Sequence, residues 1–181
     1  MFIWSITLIC LSFLKHNWAS LSVDIDDDFR ECGNGLPYPA IDFSNFQIIP
    51  EEDGSMTMNG SVQFTGDFES PTRLRLYSKK LERGEWVPGF LNREVLNMCP
   101  LLQLPHEIWY PFTSIMKQKS CPYRAGHIEP VNSINIGNYA EILNLPPSFI
   151  GEWRVYYEVA TTRKRKRVMQ CLMVLMTITE V

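Results

Sequence analysis

The chain has 181 residues, 45% of them apolar, which suffices for one sizeable core and is short for two. Its 17 basic residues against 20 acidic ones leave a formal charge of -3, which excludes the basic excess of a nucleic-acid binder.

The chain opens with MFIWSITLICLSFLKHNWASLS, apolar from Phe2 to Leu14 before Lys15. That run is too short to cross a hydrocarbon core of about 30 Å at roughly 1.5 Å per residue, and it has the length of a signal-peptide core. Residues 1–22 are therefore expected to be a secretory leader, cut after Ser22 or alternatively after Ala19, with 23–181 as a single domain. Removing the leader takes away Lys15 and Cys10 and leaves 16 basic residues against 20 acidic ones, or -4. Cys32, Cys99, Cys121 and Cys171 remain, an even number in a chain expected in the extracellular, oxidising compartment. Two disulfides are the default reading, and the count alone leaves three pairings open.

VDIDDDFREC, Val23 to Cys32, reads as a solvated acidic tail tied down at Cys32, since it lacks the Gly and Glu of a calcium-binding EF-hand loop. In SMTMNGSVQFTGDF the even positions Met56, Met58, Val62, Phe64 and Phe68 are apolar, and Asn59, Gln63, Thr65 and Asp67 are polar. That alternation predicts a strand with one wet face, bent at its glycines. The N-x-S/T sequon Asn59-Gly60-Ser61 puts its asparagine on the wet phase, as a glycosylation site requires. PTRLRLYSKK repeats the pattern, with Leu74 and Leu76 inward and Arg73 and Arg75 outward. GEWVPGF follows as a turn and a short strand carrying Trp86.

From Leu91 to Lys119 the alternation stops. The stretch is apolar, punctuated by Pro100, Pro105 and Pro111, and predicts the chain's only short helical segments. Strand patterning resumes after Cys121 in HIEPVNSINI and in GEWRVYYEVATT, where Trp153, Val155, Tyr157 and Val159 share a phase. VMQCLMVLMTITEV is apolar on both phases, as a central strand is. The elements sum to an all-β fold, an antiparallel sandwich or cup with one short irregular helical excursion.

Signatures of catalysis are missing: no HExxH, GxSxG, CxxC or phosphate-cradling glycine loop occurs. Cys121 and His127 can be drawn as a thiol and its base, but a cysteine held in a disulfide is no nucleophile. His106 and His127 read as ordinary surface or loop-edge histidines. The cysteines and histidines lack ligand-spaced pairs, so no metal, no cofactor and no enzyme activity are expected. The run Arg163, Lys164, Arg165, Lys166 and Arg167 reads as a solvated hairpin turn that guards a sheet end. Its alternative is docking on an anionic membrane surface or an acidic partner, worth on the order of 1 kcal/mol per charge at such a membrane. The 10 Phe, 5 Trp, 7 Tyr and 8 Met suit a filled core or an adaptable lipid cavity equally well.

Read as one string, the C-terminal third carries Cys121-Pro122-Tyr123-x-x-Gly126, a strand, a Leu-Pro stretch before Gly151-x-Trp153-Arg154-Val155, a basic hairpin, and Cys171 in an apolar strand. This pattern resembles the lysosomal ganglioside activator and the wider ML-type lipid-recognition proteins. It looks closer to their secreted insect relatives, the chemosensory CheB proteins. Cys32, Gly84-x-Trp86 and Asn97-x-Cys99 agree with the resemblance, which spans most of Cys32 to Val181. It implies a β-cup around an apolar cavity, no catalysis, and pairing of Cys32 with Cys171 and of Cys99 with Cys121. Each closure is worth about 3 to 5 kcal/mol in the loop-entropy model. The extra disulfides of the ganglioside activator's irregular loop are absent, so ganglioside specificity does not carry over.

The reading that follows is a secreted, non-enzymatic carrier of a lipid or other hydrophobic small molecule, with a role in pheromone or taste perception implied by the resemblance. Met58, Phe64, Leu74 and Leu76 are expected to wall the cavity, and Trp109, Tyr110, Phe112, Ile115 and Met116 to gate its rim. The competing reading is an extracellular protein–protein interaction module whose sandwich is packed solid.

Overall fold

Strands with one apolar phase have to bury that phase against another layer, and here two antiparallel sheets do so face to face. The computed structural model describes residues 20–26, 28–163 and 166–181. In the first sheet β1 (Leu21–Ile25), β10 (Lys166–Glu180), β9 (Gly151–Arg163), β6 (Arg73–Glu82) and β7 (Glu85–Val95) lie side by side in that order. The short β2 (Arg30–Glu31) also pairs with β10. In the second sheet β5 (Met56–Phe64) is central, paired with β8 (Ile128–Asn135) on one edge and with β3 (Ile41–Asp42) and β4 (Phe46–Pro50) on the other.

The inward phases read from the sequence are buried: Leu74 and Leu76 on β6, Trp153, Val155 and Val159 on β9, and Met56, Met58 and Phe64 on β5. Two backbone positions set the strand geometry. At the β6–β7 hairpin Arg83 and Gly84 both have positive φ, 53° and 86°, the twist that a two-residue turn between antiparallel strands demands. On β5, Gly60 has φ 102° and lies where an added Cβ would sit 1.8 Å from the carbonyl oxygen of Asn45, so no side chain fits. Beside it the β5–β8 register slips between Met58 and Gly60, and the bend expected in this strand falls there.

Three expectations give way. The acidic tail is in part a strand: Val23 and Ile25 face inward, Val23 fully buried, while Asp24 points out and β1 pairs with β10 from Leu21↔Glu180 to Ile25↔Met176. The aspartates masked this alternation. The irregular region begins after Val95 rather than at Leu91, because β7 continues through Arg93, which stands opposite Leu76 with its half-exposed side chain paired to Glu107. Helical turns are not confined to residues 91–119. Beyond Cys99–Leu101 and α1 (Tyr110–Thr113) lie α2 (Tyr139–Ile142) and a 3-10 turn at Pro147–Phe149. The start of α2 is capped by Asn138, whose Oδ1 accepts from the N–H groups of Ala140 and Glu141.

Both disulfides join the pairs that the resemblance implies, Cys32 with Cys171 and Cys99 with Cys121. Among the described residues no helix is long and apolar enough to cross a membrane. β1 begins two residues inside the expected leader. Leu21 is buried, its carbonyl accepts from Asn138 Nδ2 at 2.8 Å, and the Ser20 carbonyl accepts from the Val181 N–H at 2.8 Å. A chain starting at Ser20 is therefore expected to be more stable than one starting at Val23 by about 2 kcal/mol, the worth of a buried leucine. Urea unfolding of the two forms checks this, and equal midpoints would contradict the role given to β1.

Candidate functional site

The inner faces of the two sheets do not meet everywhere, and between them lies a cavity of about 250 Å³. β6, β9 and β10 supply one wall, β3, β4, β5 and β8 the opposite one, and the proline-broken segment supplies a third. Met58, Phe64, Leu74, Trp109, Phe112, Ile115 and Met116 all line it. Leu76 faces an adjoining void of about 30 Å³, and Tyr110 lines neither space.

The third wall has no regular sheet to hold it, and polar contacts do that work. The Cys99–Cys121 disulfide closes its base. Glu107, only 5% exposed, accepts from Arg93 Nη2 at 2.6 Å and Nε at 3.2 Å, tying the segment to β7. Trp109 Nε1 donates to the Leu101 carbonyl at 3.1 Å, and the Thr113 hydroxyl donates to the Leu102 carbonyl. These bonds let polar groups sit in an apolar wall.

Glu129 is the strongest of these anchors. It points inward from β8, is 1% exposed, and lines the cavity. The N–H groups of Lys117 and Gln118 donate to its two oxygens at 2.7 and 3.0 Å, and His127 Nε2 lies 2.5 Å from Oε1. A buried carboxylate is tolerable only with such partners, and here they fix the chain directly after Ile115 and Met116. Tyr123 extends the clamp, donating its hydroxyl to the Gln118 carbonyl at 2.8 Å and stacking on Phe64 at 4.6 Å. Burial, and then the charge of Glu129, pushes the Tyr123 phenol up to about 12. Burial pushes Tyr157 up to about 12 and Tyr139 well above 10.

The thiol and base drawn from the sequence are thus separately engaged, Cys121 with Cys99 and His127 with Glu129. His106 is exposed at 4.0 Å from Glu107. Among the described residues no group of three or more His, Cys, Asp or Glu is placed to hold a metal ion. Asn59 lies on the outward phase of β5, where its Oδ1 accepts from the N–H and the hydroxyl of Ser133. Arg163 and Lys166 pair at the end of the β9–β10 hairpin, Arg167 is exposed, and Lys164 and Arg165 lie outside the described residues.

Many of the lining residues were not anticipated as site residues, and five of them shape the site most. Phe29, Phe43 and Phe46 line the cavity while staying partly exposed, so they form part of its rim, with Phe29 and Phe43 stacked at 4.2 Å. They come from stretches without useful alternation. Glu129 and Tyr157 are the other two, and for Tyr157 the inward phase of β9 was a usable signal. No protein-family model and no curated protein matches this chain.

Replacing Glu129 with Ala strands two backbone N–H groups beneath the surface, and the expected loss is about 3 to 5 kcal/mol. Equilibrium urea unfolding measures it. A loss below about 1 kcal/mol would mean that the third wall is held by other means.

Proposed function

We propose that this protein is an extracellular, non-enzymatic carrier that holds one small hydrophobic molecule between its sheets. The apolar cavity of about 250 Å³ carries the reading, because side chains packed solely for stability leave few voids larger than a water. Its volume is about eight times the roughly 30 Å³ that one water occupies in the liquid, which suits a single short aliphatic chain and not a two-tailed lipid. Burying about 300 Å² of such a ligand contributes roughly 7 to 8 kcal/mol before association costs, so micromolar or weaker binding is expected.

Two disulfides fit an oxidising, extracellular setting. The resemblance to the secreted insect chemosensory proteins favours a role in presenting pheromone-like or taste molecules, and the modest cavity agrees with setting gangliosides aside. The packed-module alternative requires a filled interior, which the cavity argues against.

A fluorescent apolar probe, N-phenyl-1-naphthylamine, is expected to bind at micromolar concentration. Val62 lines the cavity and is only partly buried, so Val62→Phe fills space without uprooting the core. This variant should weaken probe binding about tenfold or more while melting within a few degrees of the parent, since tenfold corresponds to about 1.4 kcal/mol. Undiminished probe binding in a folded variant would place the ligand elsewhere.

A further inference from the structure

Among the described residues, the polar side chains that line the cavity are spent on protein partners, except one. Glu129 is held by backbone N–H groups, Thr113 and Trp109 donate to carbonyls of their own segment, and Tyr123 donates to Gln118. Tyr157 is partly exposed and lines both the main cavity and the adjoining void, and no hydrogen bond joins its hydroxyl to a described residue.

Its position is fixed from both sides. Tyr157 lies on β9 in register with Leu76 of β6 and Leu172 of β10, so the ring is carried by a strand paired along both edges. The nearby Tyr139 hydroxyl is committed to the Ile108 carbonyl at 2.8 Å and does not compete for Tyr157. With its phenol pushed up to about 12 by burial, Tyr157 stays neutral at physiological pH and can donate to an oxygen or accept from a hydroxyl. A hydrogen-bonding group on a rigid strand, facing an otherwise apolar space with no partner of its own, is how binding sites fix the orientation of a ligand.

The lining also bears on which ligand charge the cavity would accept. Among the described residues no Lys, Arg or His lines it, and its one charged side chain is the carboxylate of Glu129. A carboxylate ligand would enter with no cation to meet it and a like charge in the wall.

Resting on the carrier reading above, we infer that the Tyr157 hydroxyl selects the ligand: a neutral aliphatic molecule with a single oxygen function, such as an alcohol, aldehyde or ester, of about eight to twelve carbons. The hydroxyl bonds the ligand's oxygen while the chain fills the space among Met58, Phe64, Leu74 and Val159. Bare hydrocarbon and fatty-acid anions are both disfavoured.

The test compares the parent protein with Tyr157→Phe, using displacement of N-phenyl-1-naphthylamine by methyl octanoate, octan-1-ol, octane and octanoate. The two neutral oxygenated probes should bind about three- to tenfold more weakly to the variant, the range of one net hydrogen bond, while octane changes less than about twofold. Octanoate should compete poorly with both proteins. If the oxygenated probes and octane respond alike to the substitution, Tyr157 has no selecting role although the carrier reading stands. Octanoate binding as tightly as its methyl ester would overturn the neutral class. If none of the four displaces the dye, the carrier reading fails and this inference with it. Should Tyr157→Phe not fold, the infrared carbonyl band of labelled methyl octanoate bound to the parent decides: a shift to lower wavenumber supports the hydrogen bond, and a band at its hydrocarbon-solvent position overturns it.

Discussion

The carboxylate of Glu129, gripped by the N–H groups of Lys117 and Gln118 and by His127, fixes the one wall of the cavity that no sheet can build. Two sheets cover each other through their apolar faces, and left alone they would close on any gap. Here a segment with three prolines and little regular structure lies across them, and it can do so only if its backbone polar groups are satisfied. Glu129 satisfies two of them from the second sheet, Glu107 ties the segment to the first sheet through Arg93, and the Cys99–Cys121 disulfide closes its base. Ile115 and Met116 are thereby delivered to the cavity surface.

The same accounting explains why the interior suits a ligand of low polarity. Each polar group brought inside to anchor the wall is consumed by its partner, so the space it borders behaves as hydrocarbon. Among the described residues that line the cavity, the Tyr157 hydroxyl is the remainder. A cavity with one unspent hydrogen-bonding group can orient a guest without the desolvation cost of recognising a charge, which fits the carrier role proposed above.

How much of this was legible in the chain depends on where periodicity survives. β5, β6 and β9 alternate cleanly, and their inward residues, Met58, Phe64, Leu74 and Val159 among them, are the sheet walls of the cavity. β1 was hidden because Val23 and Ile25 run into the aspartates that follow, and the end of β7 because Arg93 stands opposite Leu76 on the phase of the inward residues and finds Glu107 through the fold. The cysteine pairing came from a resemblance, since spacing allows three answers. The aromatic rim of Phe29, Phe43 and Phe46 lies in stretches too short for a pattern. For Glu129 and Tyr157 the sequence offers a strand position at most. That one is spent and the other free is a tertiary fact, decided by which backbone groups arrive beside them.

The most direct test of the account is to extract natively purified protein with organic solvent and identify what is released by mass spectrometry. Close to one neutral aliphatic molecule per chain, bearing a single oxygen function, is expected, or its uptake when offered to an emptied protein. A protein that yields no such molecule and takes up none would contradict it.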